Sequence, residues 1–109
     1  MMTNTKSTLN LTDQSFDTVI KDGVTLVDFW AAWCGPCRIQ GPIIERVAEK
    51  IGSRANICKL DVDDNPLSAN KYEVTNIPTL ILFKDGQIVE RFIGLQNDAT
   101  LLAVVNKHL

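Results

Sequence analysis

Apolar residues along the chain change period several times, and each change marks an element. Phe16, Val19 and Ile20 fall at helical spacing behind Thr12-Asp13, residue types that favour an N-cap, and Asp22-Gly23 closes the segment. The run Val24-Thr25-Leu26-Val27-Asp28-Phe29-Trp30 is almost continuously apolar or β-forming, as in a central strand covered on both faces. From Cys34 the period turns helical again. Ile39, Ile43, Ile44, Val47, Ala48 and Ile51 form one stripe, with Arg38, Glu45, Arg46, Glu49 and Lys50 mostly opposite, until Gly52. Pro42 lacks the N–H for a helical bond, and Gly41 beside it weakens the helix, so a kink is expected there.

Ala55 to Val62 reads as a further strand, and Asn65-Pro66 as an N-cap with proline at the first position of a short helix through Tyr72. Thr79–Phe83 and Gln87–Ile93 flank Lys84-Asp85-Gly86, the turn signal of an antiparallel hairpin. Asn97-Asp98 then caps a last helix carrying Leu101, Leu102, Val104 and Val105. Helices alternating with strands and ending in a hairpin make an α/β sandwich with a mixed sheet.

A length of 109 residues suits one domain, expected over 9–109 behind a flexible polar stretch at 1–8. At 45% hydrophobic and 22% charged, the chain is too apolar to be disordered and too evenly mixed to be fibrous. The net charge of -2 comes without a basic stripe, which argues against nucleic acid as a partner. No stretch approaches the roughly 20 apolar residues of a membrane span, and Met1–Thr8 has no apolar core like a signal peptide's. A cytoplasmic monomer is expected, or an organellar one if a transit peptide has been removed. With three cysteines, two of them close together, the chain is a poor disulfide scaffold.

Trp33-Cys34-Gly35-Pro36-Cys37 follows a buried strand and opens a helix, the context that makes a CxxC a redox motif. Residues three apart on a helix share a face, so the two sulfurs can form and break one bridge. The N–H groups and positive dipole end at a helix N-terminus favour a thiolate, which makes Cys34 the nucleophile and Cys37, one turn deeper, the resolving thiol. Pro36 suits the first helical turn, and Gly35 lets a partner chain approach closely. As a structural staple the pair is weak: closing about four residues contributes on the order of 2 kcal/mol. Zinc held by Cys34, Cys37, Cys58 and His108 lacks the usual second closely spaced pair.

Asp28 stands inside the apolar run. Burying a carboxylate can raise its pKa by roughly three units, about 4 kcal/mol, a large cost for one side chain. Either it serves as base and acid for the proton of Cys37, or it is a partly solvated residue at a strand bend.

The segments Val27-Asp28-Phe29-Trp30-Ala31-Ala32-Trp33-Cys34-Gly35-Pro36-Cys37, Lys59-Leu60-Asp61-Val62-Asp63, Asn65-Pro66, Lys71-Tyr72, Ile77-Pro78-Thr79 and Phe83-Lys84-Asp85-Gly86 resemble the thioredoxin family in order and spacing, from about Leu9 to Leu109. The resemblance implies about five strands flanked by four helices. It also implies a protein-disulfide reductase that takes electrons from a thioredoxin reductase, NADPH- or ferredoxin-linked, and passes them to disulfide-containing client proteins. Its only redox centre is the Cys34–Cys37 disulfide, and no bound cofactor or metal is called for. By the same resemblance Asp28 is a buried proton carrier with Lys59 as its charged neighbour, and Pro78 is a cis-proline beside the cysteines. Trp33, Ile77, Ile93 and Gly94 join it in the docking surface around Cys34.

Departures from the family pattern are Gln40-Gly41 before Pro42, where an apolar residue and alanine are common, and Thr75-Asn76 before Ile77. Cys58, alternating with Ile57, reads as a small packed side chain, and His108 as a solvated end. Competing readings are a thiol oxidant or isomerase on the same fold, and a non-catalytic binding module. Gly35-Pro36 between the cysteines favours the reductant, by resemblance.

Overall fold

The computed structural model describes residues 8–109. Of the stretch expected to be flexible, residues 1–7 lie outside the described part, and Thr8 donates from Oγ1 to the Glu45 carboxylate at 2.8 Å.

Five strands form one mixed sheet: β1 (Leu9–Asn10), β2 (Val24–Trp30), β3 (Asn56–Asp61), β4 (Thr79–Lys84) and β5 (Gln87–Ile93), in the spatial order β1-β3-β2-β4-β5. β2 is central, parallel to β3 and antiparallel to β4, and β5 closes the hairpin. Four helices accompany them: α1 (Phe16–Ile20), α2 (Gly35–Ile51), α3 (Pro66–Lys71) and α4 (Asp98–His108), with a single 3₁₀ turn after α2. The expected α/β class, strand count and helix count are all present. The two-residue β1 is too short to show a period. β3 and α3 each end inside the spans the pattern suggested, and β4 runs one residue further.

Strand alternation divides the core in two. Val24, Leu26, Leu80, Leu82 and Ile57 pack on one face against α2 and α4, including Ile44, Val47 and Leu101. Val27, Phe29, Ile81, Phe83 and Leu60 pack on the other against Phe16 and Ile20 of α1. Cys58 belongs to this second cluster and is fully buried. Asp28 and Lys59 continue the alternation of Leu26 and Ile57, so both point to the α2 face.

α2 is one continuous helical run with Pro42 inside it. Its inward residues are Cys37, Gln40, Ile43, Ile44, Val47, Ala48 and Ile51. Ile39, placed on the stripe by pattern, is 58% exposed, because the stripe set by Cys37, Gln40, Ile44, Val47 and Ile51 leaves it on the flank.

One cap is as read and one differs. In the turn leading into α1, Thr12 and Ser15 pair reciprocally, each backbone N–H donating to the other's side-chain oxygen, while Ser15 at the N-cap position makes no cap bond to the helix itself. Asn65 occupies the N-cap position of α3 but makes no side-chain cap bond; Asp13 accepts from Leu67 N–H and Ser68 N–H instead, at 3.2 and 2.8 Å. The cap on α4 is as read, with Asn97 accepting from Thr100 N–H at 2.9 Å. At the hairpin Asp85 and Gly86 adopt φ of 50° and 83°, the pair of left-handed residues a tight turn needs. His108 is not a solvated end: its Nε2 lies 3.0 Å from the Glu90 carboxylate, tying α4 to β5.

Candidate active site

β2 ends at Trp30, and its carbonyl accepts from Val62 N–H at 2.9 Å, which fixes where the chain leaves the sheet. Ala31 to Cys34 then make one turn, closed by Cys34 N–H donating to the Ala31 carbonyl at 3.2 Å. Cys34 is the N-cap of α2, extended at φ -88° and ψ 113°, with proline in the first turn as expected for Pro36. Cys34 and Cys37 form a disulfide across a Cα separation of 5.3 Å. Cys37 N–H also donates to Cys34 Sγ at 3.2 Å. That N–H stabilises negative charge on this sulfur once the bridge opens, in the direction that the helix dipole favours.

The segment before β4 reaches the same sulfur. The Ile77–Pro78 peptide is cis, and the Ile77 carbonyl oxygen lies 3.7 Å from Cys34 Sγ. In the bridged state Sγ carries no proton, so this is a contact; a reduced Cys34 thiol can donate across it. Gly94 N–H donates to the Pro78 carbonyl at 2.8 Å, joining the end of β5 to the same rim. Around the disulfide, Trp33 is 69% and Ile93 62% exposed, beside exposed Gly35 and Pro36 and half-buried Ile77 and Gly94. Of the five residues expected in a docking surface, Trp33 and Ile93 are exposed, Ile77 and Gly94 half-buried and Pro78 buried, and the Ile77 carbonyl is the backbone group shown against Cys34 Sγ. Asp63, to which the sequence reading gave no role, accepts from Trp33 Nε1 at 2.9 Å and orients the indole. Thirty positions separate the two, so no local spacing reveals the pair.

Asp28 is fully buried on β2, and neither carboxyl oxygen has a hydrogen-bond partner among the described residues. Burial pushes its pKa up to about 7, against the opposing pull of the Lys59 ammonium. The reading of Asp28 as a solvated residue at a bend is therefore excluded. Lys59 is its register partner on β3, with Nζ 5.2 Å from the centre of the Trp30 ring. A cleft of about 730 Å³ runs along this flank of α2 past Trp30, Ala31, Cys37, Gly41, Pro42 and Lys59.

Cys34, Cys37, Cys58 and His108 do not meet at one site. Cys58 lies in the cluster on the far face from α2, and His108 is engaged with Glu90. Among the described residues no group of three His, Cys, Asp or Glu is placed to hold a metal.

The thioredoxin family model matches residues 7–107. The chain belongs to the thioredoxin family. It is 52% identical to a thioredoxin of Staphylococcus aureus over 101 residues, 93% of this chain and 97% of that one, and the same figures hold for a thioredoxin of Staphylococcus saprophyticus. Among solved structures, a mutant thioredoxin from Halobacterium salinarum superposes with a TM-score of 0.87 at 35% identity, covering 99% of this chain and 96% of that one. A Malassezia sympodialis thioredoxin gives 0.86 at 29% with the same coverage. With this family's cysteine pair bridged at a helix N-terminus, the protein is a thiol-disulfide oxidoreductase, and its enzymatic activity is that of a thioredoxin-type disulfide reductase.

Proposed function

We propose that the protein is a dithiol electron carrier that reduces disulfides in client proteins and is re-reduced by a thioredoxin reductase, NADPH- or ferredoxin-linked. The supporting observation is the Cys34–Cys37 disulfide at the start of α2, with the Ile77 carbonyl 3.7 Å from Cys34 Sγ. In the reduced protein the Cys34 thiolate, held by Cys37 N–H and the helix dipole, attacks one sulfur of a client disulfide. The client S–S bond breaks, its second sulfur leaves as a thiolate, and a mixed disulfide joins client to Cys34. Cys37 then loses its proton to Asp28 and attacks Cys34 Sγ. The remaining client sulfur departs and the bridge closes. The cysteine pair gives two electrons to the client, whose two sulfurs leave as thiolates; the Cys37 proton held on Asp28 returns to one of them and solvent protonates the other.

In this reading Asp28 is the proton acceptor and donor, and a pKa of about 7 suits a base working near neutrality. Lys59 holds that value down by its charge. Gly35 and Pro36 keep the approach to Cys34 open, while Trp33, Ile77, Pro78, Ile93 and Gly94 receive the client chain. Residues 9–109 act as one domain, supported by the continuous five-strand sheet and by the family match over 7–107. In this reading the setting is cytoplasmic and the working form a monomer. The one redox-active group is the disulfide itself.

The deciding experiment equilibrates the protein in graded thiol buffers and counts free thiols. A potential near the family's reducing value, about -270 mV, is expected; one near -120 to -180 mV would make the protein an oxidant or isomerase. Absence of a bridge at every poise would leave only a binding module.

A further inference from the structure

Gln40 puts a carboxamide where packing alone asks for an apolar side chain, and it is fully buried. Its Nε2 donates to the Gln96 carbonyl at 3.0 Å, and its Oε1 accepts from Gln96 N–H at 2.8 Å. Both ends of the amide meet complementary backbone groups, so the pairing fixes the side chain's orientation as well as the loop it holds. Burying an amide to make two such bonds yields little net stability over an apolar residue. What it adds is direction.

Gln96 lies in the loop between β5 and α4. Its own side chain donates back to the Gly94 carbonyl at 3.3 Å, and Gly94 N–H donates to the Pro78 carbonyl at 2.8 Å. Ile77, the residue before Pro78, has its carbonyl 3.7 Å from Cys34 Sγ. The contacts therefore close a ring: from Cys34 along the first turns of α2 to Gln40, across to Gln96 and Gly94, over to Pro78 and Ile77, and back to Cys34. In this ring Gln40 supplies the link between the cysteine helix and the loop.

From this ring we infer that Gln40 is a positioning residue for client docking. It sets the spacing between the cysteine helix and the backbone edge at Gly94 and Ile77-Pro78, where a client's extended chain lies. The inference rests on the docking role proposed above for that edge. Gln40 touches no client; it acts through Gln96. Its loss therefore affects substrates that use the edge and spares those that need only Cys34.

Gln40→Met keeps length and volume but removes both bonds, leaving the Gln96 N–H and carbonyl unpaired. The test compares two substrates: a synthetic peptide with several residues flanking its disulfide, and a small aryl disulfide. KM for the peptide is expected to rise about tenfold with kcat within about twofold. The aryl disulfide rate and the Cys34–Cys37 potential should stay at the wild-type values. An unchanged peptide KM, or equal losses on both substrates, would overturn the positioning role. A wild-type protein that reduces the aryl disulfide but shows no preference for the peptide would instead overturn the docking reading beneath it. Should Gln40→Met not fold, hydrogen exchange in the unaltered protein decides: the Gln96 amide is expected to be as protected as amides in α2, and exchange at the rate of an open loop would refute the clamp.

Discussion

Asp28 on β2 and Lys59 on β3 are register partners in a parallel pair, and both face the helix that carries the cysteines. The ammonium stays half-buried on a cleft while the carboxyl is sealed from solvent, so the charges attract without a hydrogen bond between them. Desolvation wins, and the carboxyl pKa rises from 3.8 to about 7.

That shift makes folding stability depend on pH in a defined direction. Between pH 3.8 and 7 the native Asp28 keeps a proton that the unfolded chain has released. Stability from this group is thus complete below 3.8, falls as pH rises, and levels off above 7, a loss of about 4 kcal/mol. In Asp28→Asn the term is absent. Urea unfolding of the oxidised protein should therefore show the variant gaining on the wild type by several kcal/mol between pH 4 and 8. A difference independent of pH would mean that Asp28 titrates at its ordinary value.

The same substitution separates proton transfer from docking. Asp28→Asn should slow client reduction near neutral pH while leaving client KM close to wild type, because Asp28 is buried away from the docking surface. Turnover indistinguishable from wild type across pH 6 to 9 would remove Asp28 from the reaction.

The two cysteines fail differently. Cys34→Ser removes the nucleophile and should abolish turnover. Cys37→Ser leaves the attack intact but nothing to resolve it, so the mixed disulfide with the client should accumulate and be visible by intact-mass spectrometry under non-reducing conditions. Accumulation in the Cys34 variant instead would reverse the assigned roles.

Local features of the chain were legible, and features joining distant segments were not. The β2 run, the Asp85-Gly86 turn and the Asn97 cap depend on neighbours in sequence, and the structure has them where the pattern put them. The CxxC at a strand-to-helix junction is likewise local. Gln40 was visible only as a departure from the family, because its partner Gln96 is 56 positions away. Ile39 misled because hydrophobicity alone cannot say that the inward stripe includes a hydrogen-bonded glutamine.

Cys58 offers a check on the packing of the face opposite the cysteine helix. It is fully buried among Val27, Leu60 and Ile81, so a regulatory thiol there would require local unfolding. The oxidised native protein should take up no iodoacetamide, and one equivalent after denaturation without reductant. Rapid labelling of the native form would show that this side of the sheet opens.

Asp13 ties α3 to the start of α1, accepting from two orphan N–H groups of a helix whose own N-cap side chain is occupied elsewhere: Asn65 accepts from Asp13 N–H and donates to the Asp61 carbonyl. Burial pulls the Asp13 pKa upward, but the hydrogen bonds from Ser68 and Leu67 outweigh it and hold the pKa below the usual 3.8. The sign is opposite to that of Asp28: Asp13 contributes stability above the unfolded-state value and loses it as pH falls through the lower native one. Asp13→Ala should lower Tm by several degrees at pH 7. The gap between variant and wild type should narrow only as pH falls below the usual 3.8 toward the lower native value of Asp13; Asp28, present in both proteins, cancels from the comparison. Asn65→Ala breaks the same corner without removing the two acceptor bonds, so its Tm gap should stay constant over that range. A gap for Asp13→Ala equally constant below pH 4 would mean that its carboxylate charge plays no part in the cap.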